Sequence, residues 1–142
     1  MRSKILVVAL VMVLILSLVG CIGLSKIAEI NITVEPDPVS YNSEIEKWYC
    51  DMTISESNGV GVTLTSIRFD RYDDQDQLYG TQILYEEDII DWFDSDYIPA
   101  FSSLQSGIVW TSYRKYIVVT IEGIDNNNSL IEATGSFQFL PK

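Results

Sequence analysis

Histidine is missing altogether from the 142 residues, and cysteine occurs only twice, at Cys21 and Cys50. Without an imidazole nothing stands ready to activate a serine or cysteine nucleophile, and the Cys/His spacings of a zinc site are absent too. Two cysteines make no disulfide framework. The 8 glycines never fall into a phosphate-cradling loop or a Gly-x-Ser-x-Gly elbow. A carboxylate pair such as Asp91 and Asp94 is the material of a glycosidase, yet any acid-rich chain offers such a pair. The absences therefore point away from an enzyme. Basic residues are scarce as well, 9 against 20 Asp and Glu, which argues against nucleic acid as a partner because its phosphates are themselves negative.

What the chain does have begins at its N-terminus. Arg2 and Lys4 precede an uncharged, apolar run over residues 5–19, and small Gly20 stands directly before Cys21. A positive end, an apolar stretch and a small-residue site form the three-part layout of a secretory signal. Leu18-Val19-Gly20-Cys21 resembles the lipobox of prokaryotic lipoproteins: an apolar residue, a small or apolar one, Gly or Ala, then Cys. The resemblance implies cleavage before Cys21, a diacylglyceryl thioether on its sulfur and often acylation of the new amino group. Two or more acyl chains, at about 0.8 kcal/mol per buried CH₂, hold a protein stably where one is marginal. The alternative is an uncleaved transmembrane anchor over residues 5–25, long enough at about 1.5 Å per residue for a core of about 30 Å. Either way the remainder faces out of the cytoplasm.

The expected organisation is a signal segment over 1–20, a lipidated N-terminus and short connector over 21–27, and one domain over 28–142. Arg2 and Lys4 take two of the 9 basic residues, so seven face 20 acids beyond residue 20, a net charge of −13. Such a surface does not cling to anionic lipid by charge. Attachment falls to the lipid.

Within the domain the apolar residues alternate. Ile30, Ile32 and Val34 mark a first strand, stopped by Pro36 and Pro38. Residues 41–43 read as a turn. Trp48, Cys50, Met52 and Ile54 share one face of a second strand over 45–55, which makes Cys50 a buried, inert thiol. Asn58-Gly59 has the chemistry of a hairpin turn. The third strand, 62–72, changes phase between Val62/Leu64 and Ile67/Phe69, so a β-bulge near Thr65-Ser66 is needed to keep both pairs inward. A fourth strand over 78–85 precedes a short helix or crossover at 86–93, where acids lead and apolar residues come in adjacent pairs. After a Ser-rich link at 102–106, a fifth strand spans 108–113, with Arg114-Lys115 as the next connection. Ile117, Val119 and Ile121 define the sixth; Ile131, Ala133, Phe137 and Phe139 define the last.

About seven strands with turn signals between them predict an all-β, antiparallel β-sandwich. The order resembles an immunoglobulin-like or fibronectin type III-like fold over residues 28–140, without the inter-sheet cysteine pair of antibody domains.

Ten of the acids lie between Asp70 and Asp96, and no Lys or Arg occurs between Tyr72 and Tyr113. Asp74 and Asp76 form one Asp-x-Asp pair and Asp94 and Asp96 another, oxygen ligands of the kind Ca²⁺ takes. The EF-hand pattern fails, since Tyr79 stands where its glycine belongs. Tyr72, Tyr79, Trp92 and Tyr97 add aromatic faces of the sort that bind glycans. The reading is thus a membrane-anchored extracytoplasmic lipoprotein whose sandwich engages another envelope protein. Its alternative is a calcium-assisted carbohydrate-binding module built on residues 70–97.

Overall fold

The computed structural model describes residues 25–142, so the lipobox-like motif lies outside the described residues. Two antiparallel sheets pack face to face. One holds β1 (Ile30–Glu35), β2 (Tyr41–Asn42), β3 (Lys47–Glu56) and β7 (Ser103–Trp110); β3 lies at its centre, with β1 and β2 on one side and β7 on the other. The other runs β5 (Leu78–Leu84), β4 (Val62–Tyr72), β8 (Tyr116–Asp125), β9 (Leu130–Gln138), with β6 (Tyr97–Ile98) extending the β5 edge of β4. One short helix, α1 (Glu86–Phe93), links β5 to β6.

The alternating pattern dictates the core. Cys50, Met52 and Ile54 of β3 are fully buried and face Ile67, Phe69, Ile117, Val119 and Ile121 from the opposite sheet. The β4–β8 ladder breaks register between Leu64 and Ser66, leaving Thr65 as the extra residue. That bulge turns Val62, Leu64, Ile67 and Phe69 all inward, as the phase change in the sequence demands. At the bulge Gly123 sits opposite Leu64. A Cβ there would lie 2.7 Å from the Thr63 carbonyl, so only glycine allows the approach.

α1 has the expected bounds. Glu86, Glu87 and Asp88 fill its first turn against the positive helix end, and its buried residues Ile89 and Phe93 join the core. It packs against β4, β5 and β7 and so covers one open side of the sandwich. At the other side β1 approaches β9, and Val39 bridges Phe139 in parallel.

Four local expectations are corrected. Asn58-Gly59 is no hairpin: β3 and β4 lie in different sheets, and the turn carries the chain across, with Gly59 at φ +83°. Tyr41–Asn42 are a strand instead of a turn, pairing with Trp48 and Lys47; the turn follows, its Glu44 and Ile45 N–H groups donating to the Asn42 Oδ1. The second long strand therefore starts at Lys47, and Ile45 is exposed. β7 begins at Ser103 and ends at Trp110, because pairing from Ser55↔Ser103 to Trp48↔Trp110 supplies backbone partners that the serine-rich composition does not advertise.

Candidate functional site

The sandwich has two chemically distinct ends, and β4, with 11 residues, separates them by about 33 Å at roughly 3.3 Å per residue. At the first end the described chain enters the fold. Asn127 donates its Nδ2 to the Lys26 carbonyl at 2.7 Å, and the Ala28 N–H donates to Asp125 Oδ2 at 3.1 Å. Asp125 also accepts the Asn127 and Ser129 N–H groups, each at 2.8 Å. Burial opposes its ionisation, but these donors prevail and hold the carboxyl below its ordinary range.

Glu56, 3% exposed, is the central polar group of this end. Its Oε1 accepts from the N–H of Asn58 at 2.7 Å and Glu29 at 3.3 Å; its Oε2 accepts from Gly59 at 2.9 Å and Phe101 at 3.0 Å. Burial alone would raise its pKa, yet the four donors outweigh it and bring it down to about 2. One carboxylate thus ties together three connections. Around it Ile27, Phe101 and Leu130 stand exposed at 54%, 71% and 86%.

The second end is formed by the β4–β5 turn, the β7–β8 connection and the end of β9. Asp73 Oδ1 accepts the N–H groups of Gln75 and Gln77, both at 2.9 Å, which fixes the turn. The Tyr113 hydroxyl donates to Asp74 Oδ1 at 3.3 Å, and Lys115 Nζ meets Asp76 Oδ1 at 2.7 Å. Between turn and connection opens a cavity of about 280 Å³, lined by Asp73, Asp74, Tyr79, Ser112, Tyr113 and Arg114 among others.

Arg114 is the unexpected member, 3% exposed where the sequence suggests a solvated connection. Its guanidinium lies 4.5 Å from the Trp110 ring centroid and 5.5 Å from that of Phe139. Nε and Nη2 donate to the Ser112 carbonyl at 3.1 and 2.6 Å, and Nη2 also reaches Ser112 Oγ at 3.0 Å. Nη1 is buried without a partner among the described residues, and so is Nε of Arg71. Arg71 stands 5.8 Å from the Tyr79 centroid. Burial lowers the Arg114 pKa, the nearby Tyr79 raises it, and the charge of Arg71 lowers it further. Chain order hides this pair, because residues 71 and 114 meet only through the β4–β8 pairing that sets Arg71 opposite Ile117.

The sequence-selected residues scatter over both ends. Asp74 and Asp76 sit in the β4–β5 turn at the cavity end. Asp94 closes α1 at φ +63°, and the Asp96 carbonyl accepts the Leu64 N–H at 2.8 Å, towards the entry end. The two pairs do not converge, and no group of three or more potential metal ligands occurs among the described residues. Of the four aromatics, Trp92 packs on Phe69 with centroids 5.9 Å apart and is partly buried against the core. Tyr97 accepts the Asn126 amide at 3.1 Å at the entry end. Tyr72 stacks on Tyr116 at 4.7 Å, the planes 9° apart. Only Tyr79, 48% exposed, lines the cavity. Cys50 is enclosed beside the Trp110 indole; burial pushes its thiol up to about 11, against a smaller lowering by that indole.

No family model matches the chain, and no curated protein matches it. Among solved structures it is similar to the Northeast Structural Genomics Consortium target SoR45, at 15% identity over 80% of this chain and 86% of that one, with a TM-score of 0.50. It is also similar to the ApaA protein from Bordetella pertussis (11% identity, 82% and 98% covered, TM-score 0.48). A further similarity is to a CARDB domain from Pyrococcus furiosus, solved in complex with di-metal ions (14%, 83% and 97%, TM-score 0.42). At these identities the similarity concerns the fold alone: a two-sheet β-sandwich domain.

Proposed function

We propose that this chain is an extracytoplasmic lipoprotein, held to the membrane through Cys21, whose β-sandwich is a binding module that engages another protein of the cell envelope. The observation that carries the reading is the Leu18-Val19-Gly20-Cys21 motif at the close of an uncharged run that starts behind Arg2 and Lys4. Two features of the fold support it. Ile30 opens β1 only nine residues after Cys21, so the connector holds the entry end of the sandwich close to the bilayer. That end exposes Ile27, Phe101 and Leu130, apolar groups suited to a lipid interface. The cavity end then faces away from the membrane. Binding instead of catalysis is supported by the missing histidine and by the engagement of Glu56, Asp73 and Asp125 with backbone N–H groups of turns.

Mass spectrometry of the membrane fraction tests the anchor. The wild type is expected as a chain starting at Cys21 with acyl mass added, and Cys21→Ser as an unlipidated precursor. A Cys21→Ser product that is still cleaved and acylated would sink the reading. Cross-linking in intact envelopes, followed by isolation of the adduct, tests the protein partner.

A further inference from the structure

We propose that the outer edge of β5 docks an extended segment of the partner protein, uncharged and β-branched along its middle with Lys or Arg at both ends, which deepens the reading of an envelope-protein partner and rests on it.

β5 ends its sheet and pairs with β4 alone among the described residues. Its far side therefore presents backbone N–H and C=O groups, and no turn or loop hydrogen bond reaches residues 78–84 there. Such a row is a template for another strand unless charge, proline, a bulge or a covering element blunts it. Residues 77–85 contain no charged residue and no proline. The single register shift falls at the start of β5, opposite Arg71 and Tyr72, and pairing is regular from Gly80 to Leu84.

The other edges differ. β1 and β9 lie against each other, β2 and β6 have two residues each, and Ser106 to Val109 of β7 share a cleft with Asp91 and Trp92 of α1. Along β5, by contrast, Leu78, Tyr79, Ile83 and the adjoining Tyr85 are all exposed. Side chains of an added strand would find apolar neighbours beside them.

Charge selects the occupant. Asp74 and Asp76 stand exposed before the uncharged stretch, and Glu86, Glu87 and Asp88 after it. Of these five, only Asp76 has an ion-pair partner among the described residues, Lys115. A second copy of β5 is disfavoured in either direction: antiparallel, the acids at one end meet those at the other, and parallel, each group meets itself. A segment with a basic residue at each end is attracted at both. The nine residues between Asp76 and Glu86 span about 30 Å at roughly 3.3 Å per residue, which sets the spacing of those basic residues.

The full chain in detergent micelles, probed with the peptide acetyl-Lys-Thr-Val-Thr-Ile-Thr-Val-Thr-Lys-amide, tests the proposal. Calorimetry is expected to give a Kd of about 100 µM or below, weakened at least about tenfold when both Lys are Glu, or by Ile83→Lys, which charges an exposed position of the edge. The peptide N-methylated at each uncharged residue is expected not to bind, and hydrogen exchange is expected to slow at residues 78–84 on binding the unmodified one. No binding up to about 1 mM, equal binding of the Glu peptide or the N-methylated peptide, undiminished binding by Ile83→Lys, or protection on β7 instead of β5 each overturns the proposal. A dimer in sedimentation that Ile83→Lys abolishes overturns it too, by giving the edge to a second copy. In intact envelopes, a cross-linked partner that Ile83→Lys retains overturns the edge and leaves the partner reading standing. Peptide binding with no envelope adduct overturns the partner reading alone.

Discussion

Replacing Glu56 by Gln tests whether one carboxylate ties the entry end together. The side chain accepts four backbone N–H groups from Glu29, Asn58, Gly59 and Phe101. Gln keeps one acceptor oxygen and sets an NH₂ against two of those donors. Lowering of the pKa from 4.5 to about 2, at about 1.36 kcal/mol per pH unit, corresponds to about 3 kcal/mol favouring the ionised form. Water at the rim of the adjoining turns screens part of it, which leaves about 2 kcal/mol. The folded pKa lies below the unfolded one, so this stabilisation is complete above pH 4.5 and is lost as pH falls towards 2. Urea unfolding followed by tryptophan fluorescence is expected to show Glu56→Gln less stable by about 2 kcal/mol at pH 7, with the gap closing between about pH 5 and pH 2.5. Comparison with the variant isolates Glu56, because Asp125 and the surface acids titrate in both proteins. A cost under about 0.5 kcal/mol at pH 7, or a gap that stays constant down to pH 2.5, would refute the reasoning.

Gly123→Ala drives a Cβ against the Thr63 carbonyl and is expected to lower the urea midpoint by the equivalent of about 1–3 kcal/mol; an unchanged midpoint would mean that the β4–β8 ladder relaxes freely. Deleting Thr65 removes the bulge and puts either Val62 and Leu64 or Ile67 and Phe69 on the outer face, so loss of cooperative unfolding is expected in thermal melts. Cys50, with its thiol raised to about 11, is expected to resist Ellman's reagent at pH 8 in the folded protein and to react fully in urea; fast reaction in the native state would contradict its burial.

Where a local rule governs the structure, the sequence is easy to read. Alternation marks Trp48 to Ile54 and Ile117 to Ile121 as inward because one face of each strand packs on the opposite sheet. The phase change around Thr65 announces the bulge, and the leading acids announce α1. Where distant groups decide, the sequence is silent. Ser103 joins β7 because Ser55 pairs with it, and Asn58-Gly59 crosses between sheets because Glu56, Phe101 and Glu29 meet there. For the candidate site, Asp74 and Tyr79 are legible as an acid and an aromatic near a turn. Trp92 has the same composition signal but is drawn onto Phe69 by the helix. Arg114 was hidden because a charged pair after a strand ordinarily points to water, whereas here Trp110 and Phe139 enclose it.

The two ends of the sandwich treat buried charge in opposite ways, and Arg114 exposes the consequence. At the entry end Glu56 and Asp125 find backbone donors, so their burial stabilises the fold. At the cavity end a guanidinium is buried with its Nη1 unanswered among the described residues and a like charge near it, which burdens the fold. Replacing a buried charge by an apolar residue of similar length is often neutral or stabilising by about 1–4 kcal/mol, whereas removing a satisfied one is costly. Arg114→Met keeps contact with Trp110 and Phe139 and frees the carbonyl of exposed Ser112 to water. Its urea midpoint at pH 7 is therefore expected to equal or exceed that of the wild type. A loss of more than about 2 kcal/mol would show that the aromatic faces and Ser112 already satisfy the cation, making Arg114 part of the scaffold.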